Sequence, residues 1–429
     1  MTGSGVGAAK TWNVMTLLMA FMMINLMDKA VIGLVAKPMK DDLGLTATQY
    51  GTVAGTFYLL FSVSALVFGF IGDRVSSRWL LAGLAVVWSA AQLPVALPAA
   101  GLGVIVVTRL LLGAGEGPAF PLAMHTAFTW SKAENRGLAG SALQVSGALG
   151  ALVGGPVIVA VTEAYGWRSA FTVLGVAGLV WAAIWVVAGG DGPYLAREEK
   201  GDRPRRTYRR LFTSGTWYGA LIAGFGVSWT LSVHIAFLPL YLEDVAGFAR
   251  SSIGLLTALP SLTGALLILL GGVLSRQLIG RSRRLALGIL GGCFSLAAGV
   301  CLVLLPHASP GWPVVVLACL AFGAGPAQTP LTVAAISAIV PDRQRSAALG
   351  TWYALVSIAA VAGPVATGLV VDAAPTQTAG YGPAFGLAGG LLVLGGLAAI
   401  ALIRPDRPHS SMKGSRVARP PRERVTGAG

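Results

Sequence analysis

Twelve apolar stretches, each long enough or nearly long enough to cross a bilayer, run the length of the chain. They lie near residues 11–36, 47–72, 78–97, 101–124, 137–161 and 167–189, then near 215–242, 251–275, 285–306, 312–339, 346–371 and 381–403. A spanning helix takes about 20 apolar residues. In lipid every backbone polar group must find its partner inside the protein, so such stretches can only be helices. Composition agrees: only 11% of the 429 residues are charged, against about 25% in ordinary soluble domains. The predicted fold class is therefore an all-α integral membrane protein with twelve transmembrane helices. The first stretch carries Asp28 and is read as a retained span, because the core of a cleaved signal peptide is short and uncharged.

The net charge of +14 is a topology signal. Of the 31 Lys and Arg residues, 25 fall on the side that holds both chain ends, four fall on the other side, and Lys29 and Arg109 lie inside spans. Under the positive-inside rule both termini face the cytoplasm, in a cell membrane that we take to be a bacterial inner membrane. Anionic lipid is the expected partner of this basic face. Nucleic acid is not, since no DNA-binding motif or interleaved aromatic pattern accompanies the charge. The three cysteines all fall in spans and read as packing residues. No metal-ligand cluster, nucleophile elbow or nucleotide loop is present, so neither an enzyme nor a cofactor is expected.

The chain divides into a six-helix bundle over 1–190, a basic cytoplasmic linker over 191–214, a second bundle over 215–403, and a disordered cytoplasmic tail over 404–429. The halves echo each other. Gly113-Ala-Gly115-Glu116-Gly117-Pro118 in span four parallels Gly323-Ala-Gly325-Pro326 in span ten. Arg136 stands 19 residues before Gly155-Pro156, and Arg345 stands 18 before Gly363-Pro364. Two pseudo-symmetric bundles place a substrate site between them near the bilayer midplane.

Four ionisable groups lie deep within spans: Asp28, Lys29, Arg109 and Glu116. Each costs roughly 2.5–3.5 kcal/mol at a helix centre, so they are expected to turn inward and pair or to line a wet cavity. Arg109 and Glu116 share a helix face about 10.5 Å apart along the axis. Asp28 and Arg109 sit at matching depth, about 12–13 Å from the outer face. Lys29 is rotated about 100° from Asp28 and points elsewhere. Fully ionised, the four sum to zero, and protonating one acid frees a positive charge that can hold an anion. Gln144, His234, Tyr58, Gln328, Tyr353 and Ser357 are further candidates for substrate contact.

The stretch Gly69–Arg78, with Asp73, Arg74 and Arg78, resembles the loop motif of the major facilitator superfamily. More specifically, Asn25-Leu26-Met27-Asp28-Lys29, the Arg109/Glu116 pair with Pro118 and Pro121, and Phe237-Leu238-Pro239 are similar to the anion:cation symporter family. That resemblance implies uptake of a small organic anion, a carboxylate, with protons by rocker-switch alternating access in a monomer; sodium stays open as the coupling ion. It implies proton coupling at Asp28 and Glu116 and anion binding at Lys29 and Arg109. It also implies a cytoplasmic latch built from Asp73, Arg74, Arg78 and Arg136. Lys29 departs from the family's arginine, Leu26 and Phe61 from common tyrosines, and Tyr353 and Ser357 from asparagines. Fewer polar partners suggest a less hydroxylated cargo than a sugar acid. The alternative is a proton-coupled exporter of drugs or metabolites with the same fold; Val157-Ile158-Val159 after Gly155-Pro156 leaves the glycine motif of drug antiporters incomplete.

Overall fold

The computed structural model describes residues 8–71, 76–132, 135–194, 214–340 and 345–405, and their regular structure is helical throughout. The first half comprises α1 (Ala8–Leu34), α2 (Ala36–Leu43), α3 (Ala47–Ile71), α4 (Ser77–Gln92), α5 (Leu102–Glu116), α6 (Ala119–Thr129), α7 (Arg136–Tyr165) and α8 (Trp167–Ala188). The second comprises α9 (Gly215–Asp244), α10 (Arg250–Ile279), α11 (Leu290–Leu304), α12 (Trp312–Ile339), α13 (Arg345–Ala373) and α14 (Gln377–Leu402). A π-helical turn, Arg284–Ile289, opens α11. Among the described residues eleven helical segments are long and apolar enough to cross a bilayer. The 25-residue α3 supplies the twelfth span, and α5 with α6 together form the fourth.

Outward faces are apolar. Leu59, Val63 and Val67 line one exposed stripe of α3 at the four-residue spacing of a single helix face, as expected where the solvent is lipid. Aromatic side chains fill the interiors. Trp88 and Trp181 pack on Phe21 in the first half, while Tyr241, Phe322 and Tyr381 surround Phe385 in the second.

Two local features differ from the sequence reading. The connection between spans one and two is itself a helix, the polar α2, which hydropathy alone passes over. Span four is also broken rather than continuous: α5 ends at Glu116, and α6 begins at Ala119. Pro118 and Pro121 lack N–H donors, so the carbonyls of Ala114 and Gly117 lose their usual partners and the helix breaks there.

Among the described residues, hydrogen bonds and ion pairs join the halves at the end away from the chain termini. At that end the Asp372 carboxylate, on α13, accepts hydrogen bonds from the backbone N–H of Ala47 (2.9 Å) and Thr48 (2.7 Å), at the start of α3. Lys37, on α2, pairs with Asp244 at 2.7 Å and Glu243 at 3.4 Å. Arg250 pairs with Glu243 at 2.7 Å and donates to the Leu34 carbonyl at 2.8 Å. The Tyr50 hydroxyl lies 2.7 Å from the Ala236 carbonyl. The hydrogen bond to Asp244 raises the Lys37 ammonium above the ordinary lysine value. Within the first half, Arg168 and Trp167 hydrogen-bond Asp42 and hold its carboxyl below the usual carboxylate range.

Candidate functional site

Glycine at position 113 sets the site's dimensions. A Cβ there would lie 2.0 Å from the Phe57 carbonyl oxygen, so only glycine lets α5 lie directly against α3. That contact brings Arg109 and Glu116 of α5 beside Phe57 and Tyr58 of α3, opposite Asp28 and Lys29 of α1. Asp28, Arg109 and Glu116 are each at most 1% exposed, and Lys29 retains 18% of its side chain accessible.

The four charges converge with a pairing that depth alone did not give. Lys29 Nζ donates to Asn25 Oδ1 at 2.6 Å and faces Glu116 Oε2 at 3.4 Å. Asp28 Oδ1 accepts from Gln92 Nε2 at 2.9 Å. Asp28 and Arg109, expected at matching depth, form no ion pair within 4 Å among the described residues. The guanidinium lies instead over the Phe171 ring, 5.1 Å from its centroid. Lys29 sits over Phe61 at 5.2 Å.

Among the described residues several buried atoms have no hydrogen-bond partner: Arg109 Nε, Asp28 Oδ2, Gln92 Oε1 and both Glu116 oxygens. Each such atom is costly. Beside this cluster lies a small cavity of about 10 Å³, room for a single water, lined from the first half by Lys29, Ile32, Ala54, Phe57, Tyr58 and Arg109, and from the second by Ser232, Ile235 and Ala236. Lys29 and Arg109 thus present their charges to this space, while Asp28, Gln92 and Glu116 stand beside it without lining it.

The remaining candidates are placed as follows. Tyr58 lines the cavity. His234 is buried with its ring stacked on Phe322 and Nε2 3.2 Å from the Thr257 carbonyl, so it faces helix-packing partners rather than the cavity. Gln328 is buried and accepts from the Ser295 hydroxyl, again as a packing group. Tyr353 is exposed beside Trp352, and Ser357 donates back to the Tyr353 carbonyl at 2.6 Å. Gln144 is exposed on α7. None of these five touches the cavity in this arrangement. Of the expected latch, Asp73 and Arg74 lie outside the described residues. Arg78 donates to the Val186 carbonyl and lies over Trp79, and Arg136 is half-buried at the start of α7.

Asn25, Gln92, Ser232 and Ile235 belong to the site but were not assigned to it from the sequence. Asn25 was detectable, since it stands four residues before Lys29 and shares its helix face. Gln92 carries no such mark, because a lone amide near a span end looks the same whether it meets a carboxylate or a backbone carbonyl.

Two six-helix halves around a charged central cavity define a membrane transporter of the alternating-access class. A family model for the Major Facilitator Superfamily matches residues 18–333 and 223–426, and the chain belongs to that family. It is 28% identical over 409 residues to the probable sulfoacetate transporter SauU of Cupriavidus necator, covering 90% of this chain and 93% of that one. It is 26% identical over 401 residues to the hexuronate transporter of Bacillus subtilis, covering 89% and 92%. Among solved structures it resembles a bacterial homologue of the human lysosomal transporter Spinster in an inward-facing, unoccupied conformation, with a TM-score of 0.78 at 19% identity over 93% and 98% of the two chains. It also resembles a D-xylose-proton symporter, with a TM-score of 0.73 at 16% identity over 91% and 97%. The relatives are transporters of organic acid anions, and this chain is a multi-pass membrane protein of the same superfamily.

Proposed function

We propose that this protein imports a small organic anion together with protons, by alternating access across a bacterial inner membrane with both termini in the cytoplasm. One observation carries the reading: the Arg109 guanidinium is 1% exposed, lines the cavity, and makes no hydrogen bond to any described residue. A buried cation in that state is strongly destabilising unless something occupies its donors, and a carboxylate or sulfonate fits a guanidinium fork. The naming of sulfoacetate and hexuronate carriers among the relatives supports the same cargo chemistry.

Coupling follows from charge balance. With Asp28 and Glu116 ionised, the two acids offset Lys29 and Arg109. An anion seated on Arg109 would leave the core negative by one, and a proton on Glu116 restores neutrality. That proton also dissolves the Lys29–Glu116 ion pair and turns Lys29 toward the anion. Asp28, steadied by Gln92, is the second proton site and keeps the balance when the cargo carries two negative charges. Neutral loading lets the core move without carrying net charge through lipid. The close contact at the end away from the termini is the outer seal of the inward-facing state.

Reconstituted vesicles test this. An inward proton gradient is expected to drive accumulation of the anion. Glu116→Gln should abolish that accumulation while counterflow exchange persists; equal loss of both would remove Glu116 from coupling.

A further inference from the structure

The cavity donates hydrogen bonds but scarcely accepts them. Lys29 and Arg109 supply only N–H donors. Lys29 donates to Asn25 Oδ1 and faces Glu116 Oε2 as an ion pair, and Arg109 Nε has no hydrogen-bond partner among the described residues. The lining side chains offer two acceptor oxygens. One is the Tyr58 hydroxyl. The other is Ser232 Oγ, whose own hydrogen is committed to the Trp229 carbonyl at 2.9 Å. Ile235 and Ala236, which complete the wall from α9, have hydrocarbon side chains and bring no side-chain acceptor.

Backbone carbonyls do not make up the deficit. The lining residues fall inside helices, where carbonyls are bonded four residues on. One exception is Ile235, whose carbonyl loses its partner because Pro239 has no N–H. That oxygen faces α1 instead, where a Cβ on Gly33 would lie 1.9 Å away. The Ala236 carbonyl accepts from the Tyr50 hydroxyl. The α9 wall is therefore held against α1 and α3 by backbone contacts, and its hydrocarbon character is a fixed property of the closed outer end.

We infer that Ser232, Ile235 and Ala236 make the site selective for anions whose body carries no hydrogen-bond donors: a carboxylate or sulfonate head on a compact apolar stem, to the exclusion of zwitterionic amino acids and polyhydroxylated acids. This rests on the reading of the cavity as an anion site and narrows it. The head is acceptor-only and satisfies the cations. An ammonium on the cargo brings three donors and a positive charge next to Lys29 and Arg109, and each hydroxyl brings one donor that must find Tyr58 or Ser232. A buried donor without a partner is where polar discrimination arises.

Three-carbon acids isolate this property because their size is nearly constant. Binding of propionate, lactate, glycerate and alanine to the purified full chain is measured by ligand-induced thermal stabilisation. Propionate is expected to bind most tightly, with glycerate about tenfold weaker because its two hydroxyls must engage both Tyr58 and Ser232 at once, and alanine at least about a hundredfold weaker. Ser232→Ala should weaken lactate about tenfold relative to propionate, and the melting temperature of the unliganded variant shows whether it is folded. Glycerate or alanine binding as tightly as propionate overturns the inference. If that flat series is still lost in Arg109→Ala, the anion site stands and only its selectivity was misread. If no acid in the series stabilises the protein, the anion site itself is wrong and the inference falls with it.

Discussion

Arg109 brings five N–H donors in a rigid plane to a position where no described residue accepts from them. A point charge cannot replace that plane. Arg109→Lys is therefore expected to weaken anion binding at least about tenfold while preserving the fold, and Arg109→Ala to abolish it; titration of the purified variants with the transported anion measures both. Unchanged affinity in the alanine variant would take Arg109 out of the site. The four embedded charges were legible from the sequence because lipid makes each of them expensive, so their presence needs a reason. Their pairing was not legible. Depth and rotation assign a residue to a face and a level, but Asp28 and Arg109 share a level without touching. Asp28 has Gln92 and Arg109 has the Phe171 ring, and neither neighbour carries any mark in the sequence. The same limit applies to His234 and Gln328. A mid-span polar residue announces that it needs a partner, and in both cases that partner is a neighbouring helix.

Helices, not loops, close the end away from the chain termini, the outer seal of the proposed cycle, and their contact tolerates little added bulk. Gly33→Ala places a methyl 1.9 Å from the Ile235 carbonyl oxygen, and backbone on both sides leaves it nowhere to go. The two helices must separate there, so the variant should assemble normally but fail to close outside. Transport is expected to fall at least about tenfold, since a 1.4 kcal/mol rise in the closed state already gives that factor. Raised reactivity of a cysteine placed at position 32 toward an impermeant outer reagent would locate the defect. Asp372 stabilises the same state by another route. Its carboxylate caps α3, where the helix dipole favours negative charge by about 0.3–1 kcal/mol. Asp372→Asn keeps an acceptor and loses the charge, so a milder opening of the same seal is expected from the same assay. Hydropathy located the spans within a few residues at most ends, because lipid imposes one period and one length on all of them. The seal escaped it: Asp372 and its partners are more than 300 positions apart, and α2 is too polar and too short to register.

At the scale of the whole molecule, α2 ties each half to the outer face through groups that titrate at opposite extremes. Asp42 binds it to α8 of its own half, and Lys37 binds it to the end of α9 in the other. Asp42 is held below the ordinary carboxylate value of 3.8, so its contribution is complete above that value and fades as pH falls through the lowered one. Lys37 is held above 10.5, so its contribution is complete below 10.5 and fades as pH rises through the raised value. Both groups lie near solvent and each contribution is small, yet they fail in different ways. Acid should loosen α2 from the first half; alkali should release the bridge while α2 stays anchored. A spin-label distance between α2 and the outer end of α10 reports the second event. It is expected to hold constant from neutral pH to about 10.5, then to lengthen, and Lys37→Met should lengthen it already at neutral pH and remove the alkaline step. A distance that stays fixed in the methionine variant would leave Asp372, Arg250 and Tyr50 to hold the halves together and reduce Lys37 to a surface charge. Opening by alkali also separates the seal from coupling, because Glu116 and Asp28 lie within the spans and the α2 contacts lie outside them. Exchange across vesicles should then decline along the Lys37 titration even when no proton gradient is imposed.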